Sequence, residues 1–238
     1  MGGHRTLVAI LGMHRSGTSA VAGILADHGI EFGPVRKRNR FNPRGNRELA
    51  QLNELHEAVL ERNGGSWWSP PESVDVEPGD IRRRDEILAT VEGENVGVKD
   101  PRMLVCPELW HDLELKRIGV IRNPASVRRS LARRAAERPH RHPQLSAQRW
   151  EELWVTYNRA LLAEHRRAPF PVVDFDRHDD LDRQVAVALG FWDLDPSGDS
   201  AFFDRDLVKQ GRDGSWRTEV EVPEALELWD VLAAIAGT

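Results

Sequence analysis

Thr6-Leu7-Val8-Ala9-Ile10-Leu11-Gly12-Met13-His14-Arg15-Ser16-Gly17-Thr18-Ser19 is the stretch that decides the fold. Its first half, Thr6 to Met13, is a short apolar run with β-branched residues, the pattern of a buried strand. Gly12 and Gly17 bracket a turn, and Thr18 to His28 then reads as a helix that stops at Gly29. A strand, a glycine loop and a helix in that order form an anion cradle. The N–H groups of the turn and of the helix N-terminus point at one spot, and the helix dipole adds to them. The Gly12–Gly17 spacing matches nucleotide-binding loops in which lysine and then Ser/Thr follow the second glycine. Here Thr18 takes the lysine position, Ser19 keeps the hydroxyl position, and the cation lies inside the loop as Arg15. Arg15, Ser16, Gly17, Thr18 and Ser19 are the candidate anion-binding residues.

Working outward, Glu94 to Lys99, Lys116 to Arg122 and Pro171 to Phe175 read as three more strands. Helices are predicted over Thr18–His28, Arg47–Arg62, Asp80–Glu92, Ala125–Arg138, Ala147–Arg166, Leu181–Leu189 and Glu224–Ile235. Strands alternating with helices predict an α/β fold: a three-layer sandwich of the P-loop NTPase-like kind. Its central, mainly parallel sheet would have four to five strands flanked by helices. Residues 1–238 are read as a single domain, since that length suits one core. The polar, Pro/Gly-containing loops at 33–46, 63–79 and 138–147 are expected to lie over the active face.

The formal net charge is −5, which argues against a general nucleic-acid binder. One cysteine, Cys106, excludes an internal disulfide and fits a reducing compartment. No stretch approaches the roughly 20 apolar residues of a membrane span. The expectation is a cytoplasmic protein without nucleic-acid or membrane partners; its oligomeric state is not legible. Residues 122–143 are rich in arginine, so a basic patch is available for a small anion.

Two further constellations bear on chemistry. Arg122 ends a predicted strand, where α/β folds place ligands. Ser130 lies about two helical turns further on, and an arginine plus a hydroxyl is a reasonable grip for a phosphate. Arg128, Arg129, Arg133 and Arg134 between and beyond them read as a solvated basic helix face. Lys99-Asp100-Pro101-Arg102 closes another strand, so Lys99 is placed to reach the same sheet end, unless Lys99 and Asp100 form a surface turn.

These residues carry a resemblance. The loop Gly12-Met13-His14-Arg15-Ser16-Gly17-Thr18-Ser19 resembles the 5′-phosphosulfate loop of sulfotransferases that use 3′-phosphoadenosine 5′-phosphosulfate (PAPS). Its form is similar to the bacterial branch and to the tyrosylprotein and carbohydrate enzymes, in which arginine replaces a lysine. Arg122 and Ser130 match that family's 3′-phosphate site, and Lys99-Asp100-Pro101 resembles a turn whose lysine stabilises the transferring group. The resemblance implies PAPS as co-substrate, release of 3′-phosphoadenosine 5′-phosphate (PAP), and no metal. Arg15 and Lys99 would stabilise the sulfuryl oxygens. It spans residues 6–130 well and the rest thinly.

Transfer to a hydroxyl or amine needs a base within hydrogen-bond reach of the acceptor. Glu48 is favoured by the resemblance of Asn42-Pro43-Arg44-Gly45-Asn46-Arg47-Glu48 to a bacterial motif. Its alternative role is to complement a helix dipole. His14, in the loop, and His56, on the following helix, are the other candidates. Trp67, Trp68 and Arg102 are candidate acceptor-binding residues, and the acceptor is expected to be a carbohydrate, a metabolite or a peptide. Lys209 and Arg212 are weak candidates for covering the nucleotide. Two other classes compete: a kinase or NTPase with an atypical loop, and a non-catalytic nucleotide-binding protein.

Overall fold

Side chains along β1 (Thr6–Leu11) alternate between two separate cores, and that alternation sets the layers. Val8 and Ile10 join one apolar cluster, and Ala9 and Leu11 join the other. Strands β3 (Leu115–Ile121) and β4 (Val172–Asp174) split their side chains in the same way. A strand buried on both faces needs helices above and below it. The computed structural model describes residues 5–34, 47–140, 142–195 and 214–237.

The sheet has four strands in the order β2-β1-β3-β4, all parallel, with β2 at Asn95–Lys99. Helices α1 (Thr18–Asp27) and α6 (Leu181–Phe191) cover one face. The other face packs against α2 (Ala50–Arg62), α3 (Pro78–Ala89), α4 (Pro124–Glu137), α5 (Ala147–Arg167) and α7 (Pro223–Ala236). The expected α/β three-layer sandwich is therefore the observed architecture. Among the described residues, no helix is long and apolar enough to cross a membrane.

Every predicted strand and helix in the described residues is present, with shifted ends. The helix expected from Arg47 starts at Ala50, because Arg47 adopts a left-handed φ of 49° and Leu49 is extended. Helix α3 begins two residues early, with Pro78 in its first turn and the Asp80 carboxylate accepting from the Glu77 N–H at 2.8 Å. Short 3₁₀ turns at Pro101–Leu104, Pro107–Leu109, Phe175–Asp180 and Gly214–Glu219 are additions to the sequence reading.

The strand order places the site. From β1 the chain passes to β2 on one side, while β3 pairs on the other. The connection reverses at the carboxyl end of β1, the position where open α/β sheets leave a ligand crevice. The loop after β1, Lys99 at the end of β2 and Arg122 just past β3 all meet there.

Candidate active site

The loop from Gly12 to Ser19 is a tight turn with the backbone shape of a nest. Arg15 has φ 70° and Gly17 has φ 99°, so two left-handed residues turn the backbone N–H groups inward. Ser16 is buried, and both its N–H and its hydroxyl bond the Met13 carbonyl, at 3.2 and 2.7 Å. Its hydroxyl therefore closes the turn. Gly12 is required by contact, and Gly17 by contact as well as by angle. A Cβ on Gly12 would lie 2.6 Å from the Val120 carbonyl oxygen, and one on Gly17 would lie 2.2 Å from the Phe175 ring. Thr18 and Ser19 open α1, where the first-turn N–H groups have no intrahelical acceptor.

Arg15 does not lie along the loop. Its Nε donates to Ser130 Oγ at 2.9 Å, across to α4. Arg122 donates from Nη1 to the Arg15 carbonyl at 3.2 Å. Arg15, Ser130 and Arg122 thus form one corner beside the loop, so the two candidate anion sites are contiguous. Trp154 Nε1 holds the Arg122 carbonyl at 3.0 Å, and the Arg122 guanidinium lies 5.2 Å from the Phe175 ring centre. Burial pushes the Arg15 pKa down to about 10, and the neighbouring charges of Arg134, Arg122 and Arg133 push the same way. Burial lowers Arg122 too, against the opposing charge of Asp176. A crowd of desolvated cations is stabilised by an anion. Arg122→Ala should weaken PAP binding by about 10–100-fold in calorimetric titration, the scale of a lost charged hydrogen bond and its supporting contact. Unchanged affinity would remove Arg122 from the site.

Lys99 lies on the other side of the loop. Its ammonium donates to Ser19 Oγ at 3.3 Å and forms an ion pair with the Glu48 carboxylate. The Lys99 side chain is 3% exposed and that of Glu48 14%. Glu48 directly precedes the extended N-cap residue of α2, Leu49, and the first turn of that helix has no acidic residue. It pairs with Lys99.

The surface-turn alternative for Lys99-Asp100 fails, because both residues are buried. Asp100 accepts from Asn53 Nδ2 at 2.6 Å, His56 Nδ1 at 2.9 Å, the Arg102 N–H at 3.0 Å and Arg102 Nη1 at 2.9 Å. Trp110 Nε1 donates to His56 Nε2 at 3.0 Å, which leaves the proton on Nδ1 facing Asp100. His56 is 0% exposed with both ring nitrogens engaged, so it is no base for an acceptor. Arg102 also bonds Glu57, which makes it a brace between α2 and the Lys99 turn.

His14 packs on Trp67, with ring centres 4.4 Å apart, and meets Tyr157 edge-on at 5.9 Å. Burial first, and then the charge of Arg102, hold its pKa well below the usual imidazole value, so it is neutral near pH 7. Its Nε2 is enclosed and has no hydrogen-bond partner among the described residues. Trp67 is 6% exposed, stacks near Trp150 and gives its carbonyl to the Tyr157 hydroxyl at 2.9 Å. Trp67 therefore pins the 63–79 loop to the body, and Trp68, partly buried, packs edge-on against it.

The basic helix face is not uniformly solvated. Arg128 bonds the fully buried Glu151 and also reaches Glu219. Arg134 is partly buried. Phe175, which fills the space against Gly17 and lies under Arg122, was legible only as an aromatic at the end of a predicted strand. Asp176, whose carboxylate accepts from the Asn123 N–H at 2.7 Å, was legible only as an aspartate just past the end of that strand. Lys209, Arg212, Asn42 to Asn46 and most of the 33–46 loop lie outside the described residues.

Two solved structures share this fold. The sulfotransferase domain from the Synechococcus PCC 7002 olefin synthase aligns with a TM-score of 0.51 and 16% identity, covering 98% of this chain and 96% of that one. The sulfotransferase domain from the curacin biosynthetic pathway aligns with a TM-score of 0.55 and 16% identity, covering 96% and 98%. No protein-family model and no curated protein matches the chain. The protein has the fold of sulfotransferase domains: a parallel α/β sheet flanked by helices, similar to these two over nearly its whole length.

Proposed function

We propose that this chain is a PAPS-dependent sulfotransferase, with residues 1–238 acting as one domain. The observation that carries the reading is Lys99. One buried ammonium joins Ser19 of the anion loop to the carboxylate of Glu48. Loop, cation and base therefore meet within one hydrogen-bonded cluster. On the far side of the same loop, Arg15, Ser130 and Arg122 form a second anion corner. A ligand with charged groups at both its 5′ and 3′ positions satisfies both, which supports PAPS.

The loop N–H groups hold the 5′-phosphosulfate, and Arg122 with Ser130 holds the 3′-phosphate. The acceptor oxygen or nitrogen attacks sulfur in line, the bond from sulfur to the bridging phosphate oxygen breaks, and PAP leaves. The acceptor proton passes to Glu48, which first parts from Lys99. Lys99 then turns to the sulfuryl oxygens as charge builds on them. The position of Arg15 in the structure supports a share in the 3′-phosphate corner as well as in the loop. Glu48 is preferred to His14 as base because it is hydrogen-bonded at the reacting end, while His14 Nε2 is enclosed behind Trp67. Stabilisation of the developing charge is left to side chains and N–H groups, with no metal required.

Thermal stability measured with PAP, PAPS and Mg·ATP, each with and without EDTA, tests this. PAP and PAPS should raise the melting temperature equally with and without EDTA. Stabilisation by Mg·ATP alone would sink the proposal and favour a kinase or NTPase. Glu48→Gln should lower turnover by about 10²–10⁴-fold, the usual range for a positioned base, with PAP affinity retained. Full turnover in that variant would move the base elsewhere.

A further inference from the structure

We infer that Phe175 is a positioning residue for the donor's 3′-phosphate. Its ring carries the Arg122 guanidinium and braces Gly17 of the anion loop, so one side chain sets the two anion sites against each other and selects a nucleotide charged at both ends. This rests on the reading that the loop holds the 5′ group of PAPS and the Arg122–Ser130 corner its 3′-phosphate.

Sheet register brings the residues together. Strands β3 and β4 are parallel, with Ile121 opposite Asp174. Arg122 and Phe175 come next on the two strands, so they leave the sheet as neighbours. The Arg122 guanidinium carbon then lies over the Phe175 ring, 5.2 Å from its centre. The same ring reaches the loop after β1. A Cβ on Gly17 would meet it at 2.2 Å, so the ring lies directly against the Gly17 backbone. Gly17, with φ 99°, is the residue at which the loop turns into α1. Phe175 is 8% exposed and belongs to one apolar cluster with Val21 of α1 and Leu181 of α6.

The backbone that carries the ring is held on both sides. Gln184 of α6 accepts from the Asp174 N–H at 2.8 Å and donates to the Asp174 carbonyl at 3.2 Å. The Asp174 carboxylate accepts from the Asp176 N–H at 2.9 Å, and the Asp176 carboxylate in turn accepts from the Asn123 N–H at 2.7 Å. Phe175 stands between these two ties. Its contact with Arg122 also differs in kind from that of Asp176, whose carboxylate lies 3.8 Å from the Arg122 Nε. A carboxylate competes with an incoming phosphate for the same N–H groups. An aromatic face attracts the cation without taking any of its N–H donors. An arginine already laid on a ring also loses less side-chain freedom when it meets a phosphate. The gain falls on the 3′-phosphate, because the 5′ group is held by loop N–H groups.

PAP and adenosine 5′-monophosphate differ only in the 3′-phosphate, so the ratio of their affinities, measured by calorimetry, isolates that group. The unaltered protein should bind PAP at least about tenfold more tightly. Phe175→Leu should cut that ratio by about five- to tenfold, the scale of a desolvated cation–π contact, with adenosine 5′-monophosphate affinity kept within about threefold. Phe175→Tyr, which keeps the ring face, should keep the ratio. Pentafluorophenylalanine in place of Phe175 keeps the ring's shape and reverses the charge of its face, so it should lower the ratio as Phe175→Leu does, and it serves equally if Phe175→Leu does not fold. In an Arg122→Ala background, Phe175→Leu should change the ratio no further. An equal loss of both nucleotides in Phe175→Leu would overturn the inference, as would an unchanged ratio with the fluorinated ring or a further fall of the ratio in the Arg122→Ala background. Equal binding of the two nucleotides to the unaltered protein would instead sink the donor reading beneath it.

Discussion

Replacing Lys99 by methionine lowers turnover by about 10²–10³-fold and leaves PAP affinity within about twofold. Two effects add in the same direction. The first is loss of the cation proposed to meet the sulfuryl oxygens. PAP lacks the sulfuryl group, so its binding does not register that loss. The second acts through Glu48. Its carboxylate is 14% exposed and paired with Lys99, so without the ammonium it loses the group that holds it against the loop. Lys99→Arg should recover part of the rate. The measurements are PAPS consumption with an acceptor found by screening and calorimetry with PAP. Turnover like that of the unaltered enzyme would show that the ion pair with Glu48 is structural. A large loss of PAP affinity would place Lys99 at the nucleotide rather than at the transferring group.

The sheet was legible because its strands are short apolar runs that end in charge and proline. The candidate loop was legible because glycine spacing reports backbone geometry directly. Arg122 and Ser130 could be read as a pair from strand-end position and helical phase. What the sequence could not show was direction. Arg15 sits inside the loop by order, yet its side chain crosses to Ser130, because a left-handed φ swings it out of the loop. His56 and Glu48 lie eight residues apart and read as alternatives. The N-cap at Leu49 separates them, leaving Glu48 before the helix, paired with Lys99, and His56 on the buried face of α2. Arg134 was indistinguishable from Arg133 on a basic helix. Helical phase gives Arg134 the face of Ser130 and leaves Arg133 exposed. Each of these depends on which elements pack together, and local pattern carries little of that.

Asp100→Asn should destabilise the protein by about 3–5 kcal/mol at pH 7, the range for breaking a buried ion pair, and this is the largest stability effect expected at the site. The carboxylate is 1% exposed and gathers donors from α2 (Asn53 and His56) and from its own turn (Arg102). An amide can serve some of those donors, but its own NH₂ would face them, and Arg102 would lose half of its counter-charge. Burial by itself opposes the charge on Asp100. Arg102, the hydrogen bond from His56 and the Arg102 N–H together outweigh that burial, and the pKa falls well below the usual carboxylate value. A depressed pKa in the folded state gives stability that is present above the unfolded value of roughly 4 and is lost as pH falls through the folded one. The gap between the unaltered protein and Asp100→Asn in urea melts should therefore be full at pH 7 and narrow progressively below about pH 4. A gap that stays constant down to pH 2 would show that the cost lies in geometry alone. Because Asp100 follows Lys99 directly, the same substitution should lower turnover at a temperature where the variant is still folded. Asp100 acts there as a positioning residue: the turn that sets the Lys99 ammonium against Ser19 and Glu48 is held by the carboxylate beneath it. Turnover should respond through kcat, with PAP affinity kept, and a loss confined to PAP affinity would place the hub under the nucleotide site instead.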